Sequence, residues 1–235
     1  MIRDFAHRVS TRLGIKNVLK KALPDTLVDP FRTLLYYEML TMETLKSDWN
    51  LIELKDFPEL RDSAWCGLTS LAYQMVQWYK PKVIVELGTH MGLSALAMGI
   101  ALRDLGEGGK LYAIDTWEGD PQAKFYSSEV YDTFLKRRSH VNLDDVIIPL
   151  KMTFDEALSH VPASIDMLHV DGLHTWDAVN HDFDTYGPRV RKGGIVMFHD
   201  VNTAYQDLRR FWKKVRRKHE HNTVLYSHGL GVIRM

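Results

Sequence analysis

Residues 83–94 read VIVELGTHMGLS, which joins a short apolar run to a loop with two glycines, Gly88 and Gly92. An Ala-rich window, 91–104, follows with the composition of a helix. Glycines after a buried strand let a ligand lie against bare backbone at a helix N-terminus. The spacing is G-x-x-x-G, which argues against the G-x-G-x-x-G loop of dinucleotide-binding folds. The stretch predicts a strand, a ligand-binding loop and a helix, and the alternative is a tight turn without a ligand.

After residue 80, short apolar runs alternate with helix-length windows. The runs are 82–87, 110–115, 145–150, 165–171, 194–199, 223–227 and 231–234; the windows are 91–104, about 125–138, 153–160, 175–187 and 204–219. Runs that are apolar at nearly every position are typical of strands buried on both faces of a parallel sheet. The alternation predicts a doubly wound, Rossmann-like α/β sheet of seven strands. Because residues 227–230 are too few for a parallel crossover, the last two strands should form an antiparallel hairpin at one sheet edge.

Before residue 80 the apolar residues recur at helical spacing and prolines divide the helices, which predicts a helical N-terminal extension over 1–80 and a second domain over 81–235. The basic face of the first helix favours packing on a neighbouring subunit, so a homo-oligomer through these helices is expected. An interfacial membrane helix is the alternative.

Composition excludes several classes of protein. Lys+Arg and Asp+Glu both total 30, so no global charge directs the chain to nucleic acid or lipid. The dense basic run 209–218 is interpreted as a solvated helix face, with phosphate binding as the alternative. A single cysteine, Cys66, excludes a disulfide framework and a multi-cysteine zinc site. No secretory signal and no membrane span are expected, which favours a cytoplasmic location.

Asp115 ends the second apolar run, about 25 residues after the glycine loop. At that position a carboxylate can accept both ribose hydroxyls of a nucleoside, whereas capping the next loop is the structural alternative. Glu86, inside the first strand, suits a ligand with an ammonium group better than one with phosphates. Together, Glu86, Gly88 and Asp115 favour a nucleoside ligand that also carries an amino group.

These motifs resemble class I S-adenosylmethionine-dependent methyltransferases over roughly residues 81–235. Residues 114–120 (IDTWEGD) and 227–232 (SHGLGV) narrow the resemblance to a bacterial subgroup associated with glycosyltransferases, similar to macrolide-sugar O-methyltransferases and cephalosporin hydroxylase-like proteins. The resemblance implies that S-adenosylmethionine is the cofactor. It implies this cofactor-binding set: Glu86, Gly88, Ser94, Asp115 and Thr153.

Residues 169–174 (HVDGLH) and 197–202 (MFHDVN) place further polar side chains at two strand ends. Carboxyl ends of adjacent parallel strands open onto one crevice, so Asp171, His199 and Asp200 are predicted to bind a divalent cation. Carboxylate and imidazole donors suit Mg²⁺ or Mn²⁺ better than Ca²⁺. The alternative is that the aspartates cap helices and the histidine bonds to backbone. Catechol O-methyltransferases are similar here, although they carry a carboxylate at the position of His199.

His174 follows Asp171 by three residues, where catechol-type relatives place a catalytic lysine and some antibiotic-sugar relatives a histidine. We predict His174 as the general base, kept neutral by the N-terminus of the next helix, with Asp171 as the competing base. A helix-cap histidine is the structural alternative.

The sequence therefore predicts a metal-assisted O-methyltransferase that acts on a hydroxyl of a small molecule or glycan, such as a sugar or a glycosylated metabolite. One alternative is a hydroxylase-type oxidoreductase with a redox metal on His174, His199 and Asp171. The other is a non-catalytic binding module of a glycosyltransferase system.

Overall fold

The computed structural model describes residues 56–122, 124–127 and 129–235. Its main sheet has seven strands: β1 (Val83–Leu87), β2 (Lys110–Asp115), β5 (Ile147–Lys151), β6 (Ile165–Val170), β7 (Val190–His199), β8 (Glu220–Val224) and β9 (Leu230–Arg234). Two further strands form a small antiparallel pair: β3 (Gly119–Asp120) and β4 (Lys124–Phe125).

Helices cover both faces of the main sheet. They are α1 (Thr69–Tyr79), α2 (Leu93–Leu105), α3 (Glu129–His140), α4 (Phe154–Ala157), α5 (Trp176–Tyr186) and α6 (Gln206–Val215), with 3₁₀ turns at Pro58–Asp62 and Gly187–Arg189. In the described part of the chain, no helix is long and apolar enough to cross a membrane.

The strand order is β5-β2-β1-β6-β7-β9-β8, in which β9 runs antiparallel to both of its neighbours and the other pairs are parallel. The predicted α/β sheet and its terminal hairpin are therefore confirmed. The chain leaves β1 toward β2 on one side and reaches β6 on the other. This reversal opens a crevice at the carboxyl ends of β1 and β6.

The hairpin strand β8 lies about three residues earlier than its predicted position of 223–227. Ser227 and His228 have φ angles of 51° and 68°, and Gly229 has a φ of 90°. Three consecutive residues in the left-handed region cannot continue a strand. They form the turn. The apolar residues Leu225 and Tyr226, which the prediction placed in the strand, therefore lie beyond its end.

The described part of the predicted extension packs into the core of the sheet domain. Leu60, Leu68 and Leu71 are fully buried in the same apolar cluster as the α2 residues, and α1 packs on α2. The boundary between 1–80 and 81–235 stays a prediction. The basic first helix and the predicted subunit contact fall in 1–55, outside the described residues.

Candidate active site

The loop after β1 holds its glycines in conformations that other residues rarely adopt. Gly88 has a φ of 91° and Gly92, the N-cap of α2, has a φ of 87°. A Cβ at residue 88 would overlap the carbonyl oxygen of Asp171, and one at residue 92 would overlap the ring of Phe134. Gly88 is therefore required both for the turn and for the close approach of the β6 end.

Glu86 is fully buried beneath this loop, and both of its carboxylate oxygens have partners. Ser94 donates to Oε1 at 2.6 Å and Thr89 donates to Oε2 at 2.9 Å. His169 Nδ1 lies 3.0 Å from Oε1. The side chains of Glu86 and Ser94 thus hold the loop in place from below, and their assignment to the cofactor-binding set stays a prediction.

Asp115, at the end of β2, accepts three backbone hydrogen bonds. Thr89 and His90 donate to Oδ2 at 3.1 and 2.8 Å, and Trp117 donates to Oδ1 at 2.7 Å. An ionised carboxylate has about four acceptor positions, which leaves room for a ribose hydroxyl. The capping role and the predicted ribose role are therefore compatible.

Thr153 is the N-cap of α4 in a capping box with Glu156. It also lines an open groove of about 590 Å³ beside the ends of β2 and β5, with Thr116, Glu118, Lys151, Met152, Glu156 and His160. We call Glu86, Gly88, Thr89, Ser94 and Asp115 the glycine-loop side; the groove adjoins it next to Asp115.

The ends of β6 and β7 bring together the cluster side: Asp171, His174, His199 and Asp200. His199 Nδ1 lies 3.3 Å from Asp171 Oδ1 and 3.2 Å from Asp200 Oδ2. His174 Nε2 lies 3.1 Å from Asp200 Oδ2 and 3.9 Å from Asp171 Oδ1. The three predicted metal ligands are therefore adjacent. Donor atoms of Asp171, His174 and Asp200 lie within 4.8 Å of one another.

The cluster perturbs the protonation of its own members. Burial disfavours the imidazolium of His174, but Asp171 and Asp200 outweigh it and raise the pKa of His174 to about 9. Burial likewise opposes the charge of His199, and the same carboxylates raise its pKa to about 10. Against the effect of burial, the histidines lower the pKa of Asp171 and Asp200. The expectation that the helix N-terminus keeps His174 neutral is wrong for this charge arrangement, because two nearby carboxylates exceed the helix dipole.

The tautomer of His199 is fixed by a backbone contact. Its Nε2 lies 3.1 Å from the carbonyl oxygen of Ser227, which can only accept, so Nε2 carries the proton. Nδ1 therefore faces the carboxylates either with a second proton or with a lone pair directed at a cation. A backbone carbonyl on the far nitrogen is the usual support of a metal-binding histidine.

Trp65, which no motif or spacing had singled out, is part of this site. Its Nε1 donates to Asp171 Oδ2 at 2.9 Å, and its ring stacks on His199 with centroids 5.1 Å apart. The ring edge of the neighbouring His169 also packs against it at 4.8 Å. Trp65 therefore orients the carboxylate and covers the imidazole of two predicted metal ligands.

His228 and Tyr205 were also missed. His228 Nδ1 lies 2.9 Å from Asp200 Oδ1, and Tyr205 stacks on His174 with centroids 4.3 Å apart. A polar residue in a short hairpin turn next to a sheet edge was the available signal for His228. Nothing in residue spacing pointed to Tyr205 or Trp65.

The chain was compared with known proteins. Residues 85–201 match a family model described as a methyltransferase domain. An uncharacterized protein y4gI from Sinorhizobium fredii is 31% identical over 204 residues, which cover 83% of this chain; the match spans only 22% of that protein's length.

Solved structures share the fold at low identity. The S-adenosylhomocysteine-bound methyltransferase PaMTH1 of Podospora anserina has a TM-score of 0.59 at 17% identity, covering 90% of this chain and 97% of its own. A putative caffeoyl-CoA O-methyltransferase from Staphylococcus aureus has a TM-score of 0.60 at 13% identity, covering 87% and 98%. The matched family identifies residues 85–201 as a methyltransferase domain, and the strand order of the sheet is the fold that the chain shares with the S-adenosylhomocysteine-bound methyltransferase.

Proposed function

We propose that this protein is a metal-assisted O-methyltransferase that transfers the methyl group of S-adenosylmethionine to a hydroxyl of a sugar or glycosylated metabolite. One observation carries the proposal: two carboxylates and two imidazoles converge at the ends of β6 and β7, against the glycine loop. The loop would hold the methyl donor, and the cluster offers groups that can act on a hydroxyl. The sugar class of acceptor comes from the sequence resemblance.

The glycine-loop side is suited to hold the cofactor without rearranging. Its acceptors and donors are already paired, so binding need not first order the loop. Asp115 retains room for a ribose hydroxyl, and the groove along Thr116, Met152 and Thr153 lies beside it. Positioning of this kind supplies much of the rate in an in-line displacement.

The cluster side fits a divalent cation by its donor chemistry. Asp171, Asp200 and His199 Nδ1 would bind it, and mixed oxygen and nitrogen donors suit Mn²⁺ or Mg²⁺. The support for His199 from the Ser227 carbonyl is the arrangement that metal-binding histidines use. A bound cation stabilises the alkoxide form of a coordinated hydroxyl.

Asp171 and His174 are the proposed acceptor-side groups. His174 would accept the proton that the hydroxyl loses, and Tyr205 would hold its ring in place by stacking. Without a cation, the carboxylates favour the charged imidazolium, which cannot accept a proton. His174 can therefore act as the base only when a cation neutralises the charge of Asp171 and Asp200.

The first test is binding. S-adenosylmethionine should raise the melting temperature, and NAD should not, because only a ligand of the native state stabilises it. The second is turnover: methyl-labelled cofactor should transfer its label to a member of a glycoside panel in the presence of Mn²⁺ or Mg²⁺. A shift with NAD and none with S-adenosylmethionine would overturn the proposal.

A hydroxylase-type oxidoreductase is the second candidate, because His174, His199 and Asp171 form a two-histidine, one-carboxylate group. Oxygen consumption without loss of the labelled methyl group would favour it.

A further inference from the structure

Seven of the ten residues 209–218 are lysine or arginine and none is acidic. We call them the basic face: Arg209, Arg210, Lys213, Lys214, Arg216, Arg217 and Lys218. The helix α6 places its apolar residues Leu208, Phe211, Trp212 and Val215 in the core and leaves its four basic residues on the other side; the remaining three lie in the turn that follows the helix. Since the whole chain has a formal net charge of +0, this concentration of charge is a local feature.

The residues of the basic face are not paired with carboxylates in the part of the chain that the structure describes. Elsewhere in that part, basic residues commonly pair with carboxylates, such as Arg138 with Asp144 and Arg191 with Asp166. None of the seven forms such an ion pair within the described residues. Like charges four residues apart on a helix, such as Arg209 and Lys213 or Arg210 and Lys214, repel each other by a few tenths of a kcal/mol per pair, so a bound anion would relieve the repulsion.

Trp176, the first residue of α5, packs its ring against two cationic groups of this face. The guanidinium of Arg210 lies 4.1 Å from the centre of the Trp176 ring, and Lys214 Nζ lies 5.2 Å from it. A guanidinium stacked on an indole keeps its N–H donors directed outward along its edge. Arg210 is therefore held in one orientation before any ligand arrives, which reduces the entropy lost on binding an anion.

The basic face begins at the cluster side. Tyr205, the N-cap of α6, stacks on His174, and Asp207 accepts the backbone N–H of Trp176 at 3.1 Å. Tyr205, Arg209 and Lys213 are spaced by four residues, so they follow one another along one side of the helix. A ligand with its hydroxyl at His174 could thus extend along α6 past Arg209.

We propose that the basic face binds the phosphate groups of the acceptor, so that the methylated hydroxyl belongs to a phosphate- or diphosphate-linked sugar. The inference rests on the proposed function and names its substrate class. The diphosphate could come from a nucleotide-linked or a lipid-linked sugar; arginine recognises the same phosphate oxygens in both. Arg210, held against Trp176, is the central contact; Arg209 precedes it on the way from the cluster side, and Lys213 follows it further along α6.

The test is calorimetric binding of inorganic pyrophosphate to the full chain, with chelator present so that no metal mediates it. Arg210→Gln should weaken binding about tenfold, the scale of one charge-assisted hydrogen bond. Trp176→Ala should also weaken it severalfold, although it removes no charge. Lys192→Gln is the matched control: it removes one exposed positive charge near the opposite end of β7 and should change affinity less than twofold.

Further measurements distinguish the two sources of diphosphate from each other and from binding to RNA or to anionic lipid. Binding of a nucleoside-diphosphate sugar that depends on Arg210 supports a soluble acceptor; binding only of neutral vesicles carrying a polyprenyl-diphosphate sugar supports a lipid-linked one. Equal weakening by Arg210→Gln and Lys192→Gln, or no pyrophosphate binding at all, overturns the inference. So does tighter binding to RNA or to vesicles of anionic phospholipid without diphosphate. S-adenosylmethionine binding is measured separately. If the protein does not bind S-adenosylmethionine, the proposed function is rejected, whereas the pyrophosphate result still tests the basic face.

Discussion

The glycine-loop side and the cluster side lie in one crevice but satisfy their charges in different ways. Asp115 and Glu86 are compensated by backbone N–H groups, hydroxyls and one histidine. Asp171 and Asp200 are compensated mainly by His174 and His199, whose pKa values they raise. The first arrangement is complete in the protein alone. The second keeps four ionisable groups in contact, so a cation that binds there can displace protons from the histidines.

The largest effect is expected from His174→Ala, which removes the proposed base from the cluster side. The value of kcat should fall about 10²–10⁴-fold, the usual contribution of general acid–base catalysis, while S-adenosylmethionine affinity stays within about twofold. His181→Ala is the control, since His181 lies on the same segment but is exposed and pairs with Asp155. A His174→Ala enzyme with nearly unchanged kcat would assign the proton to Asp171 or to the metal alone.

Asp115→Ala tests the glycine-loop side. It removes the acceptor of three backbone N–H groups and the proposed ribose contact, so S-adenosylmethionine affinity should fall about 10–100-fold in calorimetry, as expected for one lost hydrogen bond to a charged group. The metal affinity of the cluster should not change. Asp145→Ala, an exposed carboxylate before β5 at the amino ends of the parallel strands, should leave both affinities as they are. Loss of metal affinity in Asp115→Ala would show that the two sides are not separable.

Asp200→Ala tests whether the cluster side binds a cation. Chelator should abolish turnover and Mn²⁺ or Mg²⁺ should restore it, with the variant needing about 10–100 times more metal. Direct Mn²⁺ binding, followed by electron paramagnetic resonance, checks this without an acceptor. Asp177→Ala, an exposed carboxylate in the first turn of α5, is the control. Full turnover in completely chelated protein would reject the metal.

Trp65→Phe should have the smallest effect. The phenyl ring can still stack on His199, but the hydrogen bond to Asp171 is lost, so Mn²⁺ affinity should fall about tenfold, as for other groups that orient metal ligands. Trp212→Phe is a matched control, because the Nε1 of Trp212 is buried without a hydrogen-bond partner in the described part of the chain. It should leave Mn²⁺ affinity unchanged. Equal losses in both variants would show that Trp65 acts only through packing.

The sequence predicted the features that depend on local order along the chain. Apolar runs located the parallel strands within a few residues, and the ends of those strands located Asp115, Asp171 and Asp200. The small β3–β4 pair was missed because two-residue strands have no measurable period. The helix expected over 153–160 is confined to Phe154–Ala157.

The features that depend on contacts between distant segments were not predictable. The indole of Trp65 reaches Asp171 across 106 residues, and neither spacing nor periodicity encodes such a contact. The charge of His174 was predicted in the wrong direction for a related reason. Its helix position is local information, whereas the distance to Asp200 is set by the pairing of β6 with β7.

The hydroxyl of Ser227 lies within hydrogen-bond distance of the backbone carbonyls of Ala64 and Cys66 and donates its one proton between them, which joins the hairpin turn to the segment that carries Trp65. Both partners of this junction lie outside residues 85–201, one on each side. A fragment cut to those limits would retain the glycine loop and the four cluster residues, yet it would uncover the ring of His199 and free its Nε2. The smallest unit for expression, transplantation into another chain or directed evolution of this site therefore begins before Trp65 and ends after His228.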